Sequence, residues 1–267
     1  MPFLRLRQIC LVAHELEPVV DDLRAVLGLQ VCHRDPGVAR FGLHNALMRI
    51  GSNFIEVVAP LAGPQGEGTA ATRHLQRLGG DGGYMVILDC GDIAPWRAHV
   101  GALGVRVAAL LETPGYTGLQ LHPRDTGGAL LEINHTPGGE SLDGPYWPAG
   151  PHWQDAPGGA QTSAQTLALT GAALSASDPA RLAARWAQIL KRELAPDGPG
   201  WQIALDNAAT LHFLPIQDGG RAGLSRLDVQ VADVAQVLAN ARLRGCLVTA
   251  DGVAIGGVTW QLSPAPA

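Results

Sequence analysis

One lysine among 19 basic residues, no run of Lys or Arg, 5% aromatics and 16% charged residues mark what this sequence is short of. With a net charge of −5 it offers no basic face to meet phosphates, so nucleic acid is not an expected partner. The four cysteines, Cys10, Cys32, Cys90 and Cys246, are dispersed with no CxxC spacing. They read as buried free thiols in a reducing compartment. No stretch approaches the roughly 20 apolar residues that span a bilayer. After Arg5 and Arg7 the apolar run is broken by Gln8, His14 and Glu15, too soon for a signal core. A soluble, cytoplasmic chain without a membrane partner is expected. There is no Gly-x-Ser-x-Gly elbow, Ser-His-Asp order, GxGxxG or Walker loop. The Gly-rich turns at Gly79–Gly83 and Gly127-Gly128 lead into strands, where phosphate cradles lead into helices.

What the sequence has instead is a repeat. Leu6 to Val31 reads as a strand, a polar corner at Glu15, a helix, a stop at Gly28 and a new strand. Three further copies have corners at Asp92, Asp178 and Asp233, and helix ends at Gly104, Lys191 and Gly245. Corner-to-end intervals of 13, 12, 13 and 12 residues alternate as if a pair of modules had been duplicated. Each helix needs a residue tolerating positive φ just past its end, which Gly supplies. Downstream, GGALLEI (127–133) is echoed by GGVTWQL (256–262), which sets Gln261 where Glu132 stands, and Glu56 takes that place in the first module. Phe213 is the loosest equivalent, in the third.

Each module reads strand, helix, strand, strand, strand, with a hairpin around Gly51-Ser52 and a tight turn over Asp125 to Gly128. A βαβββ unit covers one sheet face with its helix and leaves the other bare, so modules are expected to pair. The predicted class is α+β: four βαβββ modules paired into two domains, with mixed sheets curled into a cup and helices outside. The first domain spans 1–138, with modules 1–78 and 79–138. A Pro/Gly/Trp-rich linker covers 139–164, and a shortened, degenerate second domain covers 165–267, with modules 165–220 and 221–267. Tyr146, Trp147 and Trp153 make the linker unusual, since a solvated coil rarely carries such apolar area. They either pin the linker to the domains or roof a ligand site.

These repeats, the strand-corner-helix-LG pattern and the FIEVV and LLEI strands resemble the vicinal oxygen chelate superfamily. It includes glyoxalase I, methylmalonyl-CoA epimerase, extradiol dioxygenases and bleomycin-resistance proteins. The resemblance covers nearly the whole chain and implies fold more than reaction. It also implies a divalent-metal site (Mn, Ni, Zn, Mg or Fe) with one ligand on the first strand and one on the last strand of each paired module. Carried onto this sequence, those positions are Gln8, Glu56, Met85 and Glu132. Gln8, Glu56 and Glu132 suit a hard ion, but the thioether of Met85 does not. His122 on the neighbouring strand is a further candidate. The same positions in the second domain, Gly171, Phe213, Arg226 and Gln261, hold no ligand set. That domain is a structural copy, an oligomer interface, or an anion site built on Arg226.

Three functions follow from the resemblance. One is a small-molecule binder of the bleomycin-resistance type without a complete metal site, its ligand surrounded by Gln8, Phe41, Met48, Arg49, Phe54, Met85, Tyr116 and His122. Another is a metal-dependent isomerase or lyase of glyoxalase I or epimerase type, with Glu56 or Glu132 moving the proton. The last is an interaction module using the second domain. Dioxygenase chemistry resembles two His and one Glu on iron, and neither His position is filled. Burying two carboxylates without a cation is costly, which makes Arg49 a candidate basic partner. A homodimer that exchanges modules is an arrangement this superfamily also shows.

Overall fold

The computed structural model describes residues 3–150, 153–155, 163–217 and 219–265. His152 and parts of the linker, 151–152 and 156–162, lie outside the described residues. The first module is β1 (Leu4–Val12), α1 (Leu16–Leu27), β2 (Val31–His33), β3 (Leu43–Ile50) and β4 (Asn53–Pro60). An extra helix, α2 (Ala70–Leu78), follows. The second module is β5 (Gly82–Cys90), α3 (Ala94–Ala102), β6 (Val107–Thr113), β7 (Tyr116–Leu121), a short α4 (Pro123–Thr126) and β8 (Leu130–His135). The third comprises β9 (Thr166–Ala176), α5 (Pro179–Leu190), β10 (Ala195–Asp197), β11 (Gly200–Ala204) and β12 (Thr210–Pro215). The fourth comprises β13 (Gly223–Val231), α6 (Val234–Arg244), β14 (Gly252–Ile255) and β15 (Val258–Pro264). None of these helices is long and apolar enough to cross a membrane.

The strands form two open mixed sheets, ordered β2-β3-β4-β1-β5-β8-β7-β6 and β10-β11-β12-β9-β13-β15-β14. Within a module the last strand returns parallel to the first, as in β5 with β8 and β9 with β12, and the others meet antiparallel. The fold is the α+β one expected, with two differences. The fourth module is one strand short. After Gly245 the chain makes a single bridge, Val248↔Val253, and Leu247 stays 80% exposed, so nothing buries a full strand there. The turn before β8 is a helical one, because Pro123 is set for a first helical position and His122 Nδ1 accepts from Arg124 N at 3.2 Å.

The corners and stops work as local chemistry. Asp178 and Asp233 accept from the backbone N–H three residues on, at 2.9 and 3.0 Å, and Asp92 accepts from Ala94 N at 3.0 Å. Gly28, Gly104 and Gly245 have φ of 67, 65 and 80°, and Lys191, the sole lysine, adopts φ 51°. In α1, Leu16, Val19, Val20, Leu23, Val26 and Leu27 are buried at helical spacing.

The described chain divides into two compact units, each drawing on both halves of the sequence. One comprises Met1–Gln8, Met85–Trp147 and Thr170–Ser225. Its core holds Trp96, Trp186 and Phe213, with the last two rings 5.7 Å apart and the Trp186 indole donating to Thr126 O at 3.1 Å. The other comprises Ile9–Tyr84, Pro148–Leu169 and Arg226–Ala267, and its core includes Leu11, Val20, Leu23, Phe54, Trp153 and Trp260. All four cysteines are free, and burial pushes the thiols of Cys32 and Cys90 up to about 11 and about 12.

Candidate functional site

The polar residues of the first unit are gathered by strand register. Glu132 on β8 pairs with Ile87 of β5 on one side and Gln120 of β7 on the other, while Asn134 pairs with Asp89 and Gly118. Alternate residues share a face, so Gly118, Gln120, Glu132 and Asn134 line one surface. There the buried Glu132 carboxylate accepts from Gln120 Nε2 at 2.9 Å, from Asn134 Nδ2 at 3.1 Å and from the Tyr116 hydroxyl. Tyr116 reaches it by lying across Gly118, where a Cβ would stand 2.6 Å from the hydroxyl oxygen. Gly118→Ala should therefore push Tyr116 off Glu132. A buried hydrogen bond to a charged group is worth about 1.5–3 kcal/mol. Urea unfolding should show that loss for Gly118→Ala and for Tyr116→Phe, and little further loss in the double variant. Additive losses would mean that the glycine serves something else.

Tyr146 comes to the same cluster from the linker. Its hydroxyl donates to Gln8 Oε1 at 3.0 Å, and the Arg7 guanidinium lies 5.0 Å from its ring centre. Arg7 donates to Leu142 O at 2.7 Å. Arg5 clamps Asp89 through two bonds of 3.0 and 2.5 Å and also donates to the carbonyls of Gly139 and Glu140, each at 2.8 Å. The Asn134 amide is turned with Nδ2 toward Glu132, since the reverse would set its carbonyl against the carboxylate. Its Oδ1 is consequently buried with no partner among the described residues.

Burial, and then the charge of Glu132, holds the hydroxyls of Tyr116 and Tyr146 well above the usual tyrosine range. Burial likewise pushes Tyr84 up to about 12. These are all the tyrosines of the chain. Above the ordinary value of about 10 the unfolded state releases tyrosine protons that the native state retains, so it binds fewer protons and stability falls as pH rises. Tyrosinate absorbance should stay silent near pH 10, within about a unit, and then appear together with loss of secondary structure. A smooth titration of folded protein near 10 would contradict the burial of these hydroxyls.

Other sequence candidates belong to the second unit. Glu56 on β4 is buried and accepts from Asn45 Nδ2 at 2.6 Å. Asn45 Oδ1 takes the Asp35 N–H at 2.8 Å, which ties the carboxylate to the turn at 35–42. Arg49 donates to Gly51 O at 2.6 Å and lies 4.6 Å from the Trp153 ring, which the edge of Phe54 meets at 5.2 Å. Met48 is buried opposite Ile55, and Phe41 is 43% exposed beneath Arg40. Met85 is buried in the first unit opposite Leu130, and His122 caps its short helix there. In the third and fourth modules, Arg226 pairs with Asp228 at 2.7 Å, Gln261 donates to Asp251 O, and Phe213 is core. Among the described residues no three His, Cys, Asp or Glu side chains gather as a metal-holding group.

A sequence model of the glyoxalase-like domain matches residues 9–190. The chain belongs to the glyoxalase-like domain family. No curated protein matches it. Among solved structures it is similar to a hypothetical protein from Staphylococcus aureus, at 12% identity over 98% of this chain and 99% of that one, TM-score 0.67. It is also similar to a triple mutant of 4-hydroxymandelate synthase from Streptomyces coelicolor, at 15% identity over 92% of this chain and 76% of that one, TM-score 0.62. A methylmalonyl-CoA epimerase variant from Streptomyces coelicolor, in complex with 2-nitronate-propionyl-CoA, matches at 22% identity over 50% of this chain and 98% of that one, TM-score 0.44. At such identities the likeness is one of fold, and the vicinal oxygen chelate superfamily read from the repeats holds.

Several members of the cluster in this glyoxalase-like chain escaped sequence reasoning. Asn134 and Gln120 carried a usable signal, since each lies on the face of Glu132 by strand alternation. Asn45 carried the same signal toward Glu56, two residues from its cross-strand partner Leu47. Asp89 carried it too, standing opposite Asn134 in register, whereas Arg5 and Arg7 were joined to the cluster only by the fold.

Proposed function

We propose that this glyoxalase-like chain binds a small molecule at the face formed by Gln8, Tyr116, Gln120, Glu132 and Asn134, without a resident metal. The observation that carries this reading is Asn134 Oδ1, a buried acceptor with no donor among the described residues. Leaving such a group unpaired costs about 1–3 kcal/mol, which a ligand donor would recover. The donor chemistry argues in the same direction. Three of the roughly four lone-pair directions of the Glu132 carboxylate are taken by neutral groups. The Gln8 oxygen is taken by Tyr146, and the position that the superfamily gives an imidazole holds the Met85 thioether. A hard divalent ion would have to recover these oxygens from tyrosine and amide donors, so the set does not fit it.

Protein purified without added metal or chelator should carry no stoichiometric metal, and Mn²⁺, Ni²⁺, Zn²⁺, Mg²⁺ or Fe²⁺ should not raise its melting temperature. A panel of small alcohols, amides and phenols, each with a donor for Asn134 Oδ1, should contain compounds that do. One present at 100 times its dissociation constant adds about 2.7 kcal/mol. Near-stoichiometric metal that disappears in Glu56→Ala or Glu132→Ala would overturn this reading in favour of a metal-dependent isomerase or lyase.

A further inference from the structure

Residues 136–147 leave β8 and turn back over the cluster. Arg5 and Arg7 hold this segment by the carbonyls of Gly139, Glu140 and Leu142, groups that any sequence supplies. Trp147 N donates to Thr136 Oγ1 at 3.3 Å, and the Trp147 ring lies on Gly115, where a Cβ would stand 2.7 Å from it. Tyr146 contributes something that depends on its identity, an aryl hydroxyl. We propose that Tyr146 holds the place of an aryl-hydroxyl ligand, so that the 136–147 segment is a built-in competitor for the site; this rests on the small-molecule reading above.

The surroundings of Tyr146 are those a free phenol would need. The hydroxyl meets the neutral acceptor Gln8 Oε1 at 3.0 Å, and a guanidinium lies 5.0 Å from the ring centre. Tyr146 is 1% exposed, so its ring is enclosed as a bound ligand would be. The Asn134 amide acts on the hydroxyl as a donor, lowering its pKa against the effect of burial, and its Oδ1 is buried with no partner among the described residues. Tyrosine has one donor, and that donor is spent on Gln8. An aryl alcohol with a second donor gains a bond that the tethered tyrosine does not make, which gives it a reason to displace the segment. Trp147, 43% exposed beside Tyr146, would move with it.

The probe is p-cresol, the tyrosine side chain freed from the backbone, with toluene as the control lacking the hydroxyl. Tethering gives Tyr146 an effective concentration in about the mM range, so Tyr146→Ala should bind p-cresol more tightly than the wild type, by about tenfold for an intrinsic dissociation constant of about 0.1 mM. Isothermal titration should show toluene binding more weakly than p-cresol. Adding Gln8→Leu should abolish that preference. Equal binding of the two compounds would mean an apolar cavity only, and would overturn the proposal, as would a folded Tyr146→Ala that binds neither. Tyr146→Phe keeps the ring and drops only the hydroxyl, so it covers the case in which the alanine variant fails to fold. It should take p-cresol more tightly than the wild type, and unchanged affinity would also overturn the proposal. If other compounds of the panel stabilise the wild type while p-cresol binds no variant, the ligand class falls and the small-molecule reading stands.

Discussion

Asp89→Ala should destabilise this protein by about 3–5 kcal/mol, the usual result of removing one partner from a buried ion pair. Asp89 and Arg5 side chains are each 7% exposed and meet through two bonds, and Arg7 Nε lies 3.9 Å from the same carboxylate. Without Asp89, two guanidinium groups face each other in a region closed to water. Carbonyls of residues 139 and 140 would be the counterweights left to Arg5, and dipoles do not replace a charge. The loss should spread to the site, because the same arginine holds the segment that carries Tyr146. Urea unfolding measures the stability, and amide exchange of residues 139–147 measures the spread. A loss below about 1 kcal/mol, the usual worth of an exposed pair, would mean that water reaches Arg5.

The second large effect is expected from Gly257→Ala. A Cβ on Gly257 would lie 1.9 Å from the Asp81 carbonyl oxygen and 2.3 Å from its carbon, and the residue has φ +72°. Backbone cannot swing aside as a side chain can. Overpacking of this kind costs about 1–3 kcal/mol, and the left-handed conformation adds about 1–2 kcal/mol for a residue with a Cβ. Gly104→Ala is the control, with φ +65° and nothing within 4 Å of its Cβ, so it should show the conformational part alone. Equal losses at the two positions would show that the Asp81 backbone yields. Asp81 also accepts the His14 N–H through its side chain at 2.8 Å, so a yielding backbone would be visible as faster exchange at His14.

The two glycine pairs illustrate what repetition in a sequence can and cannot say. Gly127-Gly128 and Gly256-Gly257 stand out as echoes before matching strands, and all four have positive φ. Their neighbours differ entirely. Gly128 meets the Leu174 and Leu182 side chains, whereas Gly257 meets backbone at Asp81. The repeat therefore reveals the turn and not the tolerance of the turn to a side chain. Tyr146 shows the same limit. Its aromatic character in a Pro/Gly-rich segment signals anchoring, but its hydroxyl bond to Gln8 spans 138 positions in the chain.

What the sequence determined by itself was everything whose cause is local. Asp178 and Asp233 cap helices three residues away, Gly28 and Gly245 end them, Gly51-Ser52 turns a hairpin, and the 13- and 12-residue intervals expose four related modules. Such features depend on backbone dihedrals and on hydrogen bonds between near neighbours, which a few residues set without help. Only the tertiary structure decided how the candidate residues are satisfied. Glu132 finds Tyr116 and Gln120 across strands, and Arg5 finds Asp89 from 84 positions away. Gln8 and Glu56 fall in different compact units, although the sequence groups them in one module. A buried polar group takes whichever partner the packing brings within about 3 Å, and packing is a property of the whole chain rather than of any stretch of it.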